Sequence, residues 1–224
     1  MQSKHNFTVV KSCQFRILYL YSNIYIIMRK SNESKISFSK VNYGCFNAIL
    51  EINNVTIDLD VSFWCNPLQD LLQGLIFTLT DEDSIERAFN RKNPLQFYWR
   101  SEPNGYEWQL NPISKTNVEI TIVYHDDIML SDPITEGEIV FQQVCNAREF
   151  ARIVCNECTI LLLHHGIFGY VKSWLEPIQF PIMELLVLKE LVKTKKPIPT
   201  DFSELDDGFS SKLDYEIKLL QELL

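Results

Sequence analysis

The residues best suited to chemistry are Cys155-x-x-Cys158, followed by His164-His165, with Cys145 upstream. Cysteine and histidine are zinc ligands, and close pairs of them complete tetrahedral sites. On a helix, positions 155 and 158 point to one side, and 165 lies two turns beyond 158. Structural Cys-x-x-Cys pairs, however, usually sit on knuckles that fold around the ion, and the chain has no second such pair. The preferred reading is therefore two small residues in a buried helix, with His164 or His165 near its end. A zinc site and thiol redox chemistry remain as rivals, and no cofactor is implied.

Carboxylates form a second group. Asp58 and Asp60 alternate on a strand, and Asp81-Glu82-Asp83 and Asp126-Asp127 are consecutive. Paired carboxylates bind divalent cations or share acid–base work, but on strand faces and loops they are more simply solvated charge. His125 beside Asp126 is a weak acid–base candidate, because neighbours on a strand face opposite ways. Trp99, Tyr106 and Trp108 alternate across a hairpin and read as packing partners. Tyr98 lies on the other face from Trp99 and is exposed unless something covers it. These features select Asp58, Asp60, Tyr98, Glu102, Asp126 and Asp127 as the partner-facing set. Phosphate-loop, dinucleotide, serine-hydrolase and zinc-protease signatures are all absent from the sequence.

The elements that must position these residues follow from periodicity. Leu50 and Ile52, then Val55, Ile57, Leu59 and Val61, alternate around Asn53-Asn54, which predicts a hairpin. Asn66, Pro67 and Gln69 open a helix whose apolar residues are Leu68, Leu71, Leu72, Leu75, Ile76 and Leu79. It ends at Thr80-Asp81-Glu82-Asp83. A meander follows through Leu95–Trp99, Tyr106–Leu110, Val118–Tyr124 and a fourth strand with Ile139 and Phe141. Asn146 and Glu149 open the longest helix, whose apolar face runs through Phe150, Val154, Cys158 and Leu161 to His165. Gly166 and Gly169 mark its frayed end or a break. A further helix carries Ile182 to Leu191 and ends in Lys193, Lys195 and Lys196, which suit a helix C-terminus. Residues 197–210 read as a polar linker, and 211–224 as a last amphipathic helix. The expected fold is α+β, an antiparallel β-meander with helices packed on one face.

Charge divides the chain. Its 224 residues carry a net −8, but residues 1–50 hold +6 and the remainder −14. The apolar run at 15–28 lies between Lys11 and Arg29-Lys30 and is too short to span a bilayer. Three readings of it stand: a start site at Met28 with residues 1–27 untranslated, a peripheral strand or helix, and a signal or anchor. The predicted organisation is a basic extension over 1–45, a domain over 46–196, and a linker with a helix over 197–224. The six cysteines show no secreted-scaffold spacing, which predicts a cytoplasmic protein with reduced thiols.

The string Phe97-Tyr98-Trp99-Arg100-Ser101-Glu102-Pro103-Asn104-Gly105-Tyr106-Glu107-Trp108 follows a Leu-Gln-Asp-Leu-Leu helix. It precedes a helix ending in Gly169-Tyr170 and Trp174, then Phe180-Pro181. Over residues 48–190 this order resembles a group of small bacterial proteins built from a helix, a β-meander and a long helix. It is similar in layout and charge to immunity proteins of bacterial toxin systems. The resemblance and the acidic body together predict a non-enzymatic protein-binding module, an immunity or antitoxin protein whose partner is a basic protein such as a toxin. Nucleic acid and membrane are not expected partners. The alternative is a metal-dependent or thiol-containing small enzyme. Oligomeric state is left open.

Overall fold

The computed structural model describes residues 33–62, 65–80, 95–128, 137–199, 201–203 and 208–222. Residues Ser34–Leu224 form one unit, to which all elements below belong. The expectations about residues 1–32 and about Asp81-Glu82-Asp83 fall outside the described residues.

Strands β1 (Ser34–Phe38), β2 (Phe46–Ile52) and β3 (Val55–Val61) form an antiparallel sheet in that order. The β2–β3 turn is made by Asn53 and Asn54, both at positive φ (54° and 64°). Asparagine tolerates this conformation, which matches the twist of paired strands. One face of the sheet buries Ile36, Phe46, Ala48, Leu50, Ile52, Leu59 and Val61. The other carries Asn47, Asp58 and Asp60. The strand β1 lies inside the span expected to be an extension. Only Ile36 and Phe38 mark it in the sequence, too short a pattern to register.

Helix α1 (Pro67–Thr80) starts as expected: Asn66 Oδ1 accepts from Gln69 N–H at 3.3 Å, and Asn66 Nδ2 donates to Gln69 Oε1 at 3.2 Å. Strands β4 (Leu95–Arg100), β5 (Gly105–Pro112), β6 (Asn117–His125) and β7 (Glu138–Asn146) form the four-stranded meander. Its inner face buries Trp99, Trp108, Leu110, Val118, Ile120, Ile122 and Phe141 against α1 and the first sheet. The fold is thus α+β with two antiparallel sheets. A register shift between Ile122 and Val123 pairs these residues with Phe141 and Ile139 and skips Val140. This bulge separates Ile139 from Phe141: Phe141 is buried, while Ile139 is 59% exposed.

Helix α2 (Ala147–Ser173) breaks at Gly166, whose φ of 64° and ψ of 171° are open only to glycine. Helix α3 (Ile182–Thr194) closes on Lys195 in the left-handed conformation, whose N–H reaches Leu191 O at 3.0 Å. The Arg148 guanidinium from the start of α2 donates to the Leu191 and Val192 carbonyls, so one helix caps the next. The segment read as a linker contains a short hairpin, β8 (Asp201–Ser203) with β9 (Gly208–Ser210), which pairs Phe202 with Phe209. Two isolated aromatics in a polar stretch gave no alternation to read. Helix α4 (Leu213–Gln221) then docks on α3 through buried Leu219, a Tyr215–Glu190 hydrogen bond and a Lys193–Glu222 ion pair of 2.7 Å.

Burial pushes the Asp70 carboxyl in the first turn of α1 up to about 6, against the pull of the Arg100 guanidinium. Its protonated form therefore contributes stability that is complete below the unfolded value of 3.8 and lost as pH rises through 6. The side chain is partly open to water, and the positive end of α1 offsets part of the cost. Asp70→Asn is expected to raise stability by about 1 kcal/mol at pH 7.5 and not at all near pH 3.5. Urea unfolding at the two pH values checks this.

Candidate functional site

The meander's antiparallel order sends the β4–β5 turn and the end of β6 to one end of the sheet. Ile128 N–H donates to Pro103 O at 2.9 Å, so Glu102 and Asp126-Asp127 flank a single junction. The end of β3 is tied to the same place. Ser62 N–H donates to Arg100 O at 3.3 Å and Ser101 Oγ to Asp60 O at 3.1 Å. Asn47 Nδ2 donates to both Asp58 and Asp60, holding two like charges side by side. Five of the six predicted partner-facing residues, Asp58, Asp60, Glu102, Asp126 and Asp127, are thereby gathered at one end. Tyr98 is not. It lies on the outer face of β4 opposite Glu107, half-buried, and its hydroxyl is held above its ordinary value by burial and by Glu107.

Aromatic residues floor this end. Tyr106 and Tyr124 lie 5.6 Å apart between rings, and Asn104 Nδ2 donates to the Tyr124 hydroxyl at 3.1 Å. Burial, then the nearby Asp60, keeps the Tyr106 hydroxyl protonated. Beside Asp60 opens a groove of about 550 Å³, bordered by Tyr43, Cys45, Asn47, Asp60 and Ser101. Tyr43 is 80% exposed on its rim. It stands outside the predicted partner-facing set, in a segment of the sequence without strand or helix periodicity. Tyr43 and Gly44 both have positive φ (48° and 75°).

His165 serves this turn. Its Nε2 accepts the Val41 N–H at 3.2 Å, and Gly44 N–H donates to Ser173 O at 2.9 Å. Burial, then His164 and Lys40, holds the imidazole below its ordinary value of 6.5. The sign follows: its contribution is present above pH 6.5 and is lost as pH falls through the lowered value, when Nε2 gains a proton and can no longer accept. The Val41 amide is expected to lose hydrogen-exchange protection, relative to amides of β5, as pH falls through the titration of His165 followed by NMR. Relative protection unchanged once the ring is protonated would exclude this role.

The cysteines predicted beside it do not form a centre. Cys155 and Cys158 are buried in α2, and burial pushes the Cys155 thiol up to about 12 and Cys158 well above its ordinary value. Such thiols are protonated at neutral pH and poor nucleophiles. Among the described residues no group of three or more His, Cys, Asp and Glu is placed to hold a metal ion. His164 packs edge-on against His165, 4.9 Å between rings.

His125 finds its partner in Glu107 rather than Asp126. Glu107 Oε2 lies 3.1 Å from His125 Nε2, while Oε1 accepts from Gln96 Nε2 at 2.9 Å and Gln109 Nε2 at 2.6 Å. His125 is only 3% exposed, so this polar cluster is built into the outer face of the sheet. Its partners lie 18 residues apart in sequence and meet only through strand register.

No family model matches the chain, and no curated protein or solved structure matches it. Among the described residues no helix is long and apolar enough to cross a membrane.

Proposed function

We propose that the protein is a non-enzymatic acidic binding module whose partner is a basic protein. In its sharpest form it is an immunity protein that neutralises a basic bacterial toxin. The observation that carries the reading is the groove that the exposed Tyr43 and the Asp60 carboxylate border together, with Asn47 holding Asp60 in place. A Lys or Arg side chain laid in such a groove gains a charge-assisted hydrogen bond and an aromatic face together. The carboxylates of Asp58, Glu102, Asp126 and Asp127 extend the same field and accelerate encounter with a cationic surface. The protonated, buried thiols give the thiol-enzyme alternative no comparable support.

The test is a binding measurement between the full chain and the product of the gene adjacent to its own. Asp58→Asn combined with Asp60→Asn is expected to slow association about 10–100-fold at low salt, with a shallower salt dependence. Tyr43→Ala is expected to act mainly on dissociation. An adjacent product that does not bind removes the immunity reading. A basic partner whose affinity is unchanged in all three positions overturns the binding surface itself.

A further inference from the structure

At the opposite end of the meander three cations meet. A cavity of about 220 Å³ lies between the β5–β6 turn, the end of α1, the start of α2 and the residue that closes α3. Among the described residues, Lys115, Arg148 and Lys195 border it and no carboxylate does. In a body that carries −14 over residues 51–224, three cations around one concavity stand out.

Each cation arrives from a different element, so no single helix or loop accounts for the grouping. Arg148 is held by the Leu191 and Val192 carbonyls through one terminal nitrogen, which leaves further guanidinium donors. Lys195 is brought in by its left-handed closing position after α3. Lys115 sits in the β5–β6 turn, where Ser114 Oγ accepts the Thr116 and Asn117 N–H groups at 3.3 and 3.1 Å. That acceptance leaves the Ser114 hydroxyl proton free to donate. The start of α2 adds little, since Ala147 N–H is spent on Thr116 O and Glu149 N–H on Asn146 Oδ1. The three cations and the concavity they border make the site.

We propose that this cavity binds the phosphoryl group of a small phosphomonoester. Its volume is below the roughly 300–1,000 Å³ of sites that engulf a drug-sized ligand, which suits a terminal phosphate with the rest of the molecule outside. Cations and hydroxyl donors are the chemistry of oxyanion recognition. The site stands apart from the acidic surface and does not depend on the reading given to that surface.

Inorganic phosphate and glycerol phosphate are the probes, titrated into the full chain at constant ionic strength and followed by melting temperature and by amide shifts. Both are expected to bind saturably, with shifts centred on Ser114–Asn117. Lys115→Ala with Lys195→Ala is expected to weaken binding about tenfold or more, while its melting temperature without ligand stays near that of the parent. Arg148 is left intact because it caps α3. Absence of saturable binding, undiminished binding in the double variant, or equal binding of sulfate as an adventitious ion only would each overturn the assignment.

Discussion

Glu107→Ala is expected to cost the fold about 3 kcal/mol, the upper end of the range for removing the shared acceptor of buried hydrogen bonds. Its carboxylate holds three strands at once: Gln96 on β4, Gln109 on β5 and His125 on β6. Alanine removes all three acceptor contacts and leaves the buried His125 ring facing the space the carboxylate filled. Glu107→Gln separates charge from shape. Its amide oxygen can still accept from His125, and the two glutamines can turn to present their oxygens to its amide. That variant is expected to lose about 1 kcal/mol. Urea unfolding at pH 7 checks both. Equal costs would show that packing volume, not the acceptor, is what the site needs.

Trp108→Ala is expected to be about as damaging, near 3–5 kcal/mol. The ring is fully buried, stacked on Phe97 at 5.6 Å and 15°, and 4.7 Å from Trp99, which in turn meets Phe46 edge-on at 6.1 Å. Phe46 belongs to the first sheet, so this aromatic chain joins the two sheets. A cavity there weakens an interface and a core layer together. Against a typical net stability of about 5–15 kcal/mol, the variant stands close to unfolding at 37 °C. Trp108→Phe keeps the stack and is expected to recover more than half of the loss in a denaturant titration.

The elements legible in the sequence are those with long, regular patterns and local caps. The Asn66 and Asn146 caps, the Asn53-Asn54 turn, the α1 stripe and the four meander strands all rest on residues within one or two turns of each other. What stayed hidden is tertiary. Glu107 meets His125 only because Gly105 pairs with His125 in the β5–β6 register, and Arg148 reaches α3 carbonyls some 43 positions away. The skipped Val140 turned Ile139 outward, which alternation alone could not foresee. Of the predicted site, Glu102 and Asp126-Asp127 came together because the meander folds their loops to one end, as short antiparallel connections require, and Asp58 and Asp60 join them through the Ser62 and Ser101 hydrogen bonds at the end of β3. The histidine pair was read from the sequence as lying near the helix end, and there His165 positions a turn through the Val41 amide, a contact 124 positions away that no local pattern announces.

The buried aromatic chain also gives this protein an internal gauge. Trp99 and Trp108 lie within exciton-coupling distance, and among the described residues neither indole N–H has a hydrogen-bond partner. Both rings are fully buried, and their emission and near-ultraviolet dichroism report whether the two sheets remain locked. Neither ring belongs to the acidic groove or the cation-lined cavity. A surface variant that loses a partner while this optical signature stands unchanged has lost recognition, and one that alters both has lost its fold.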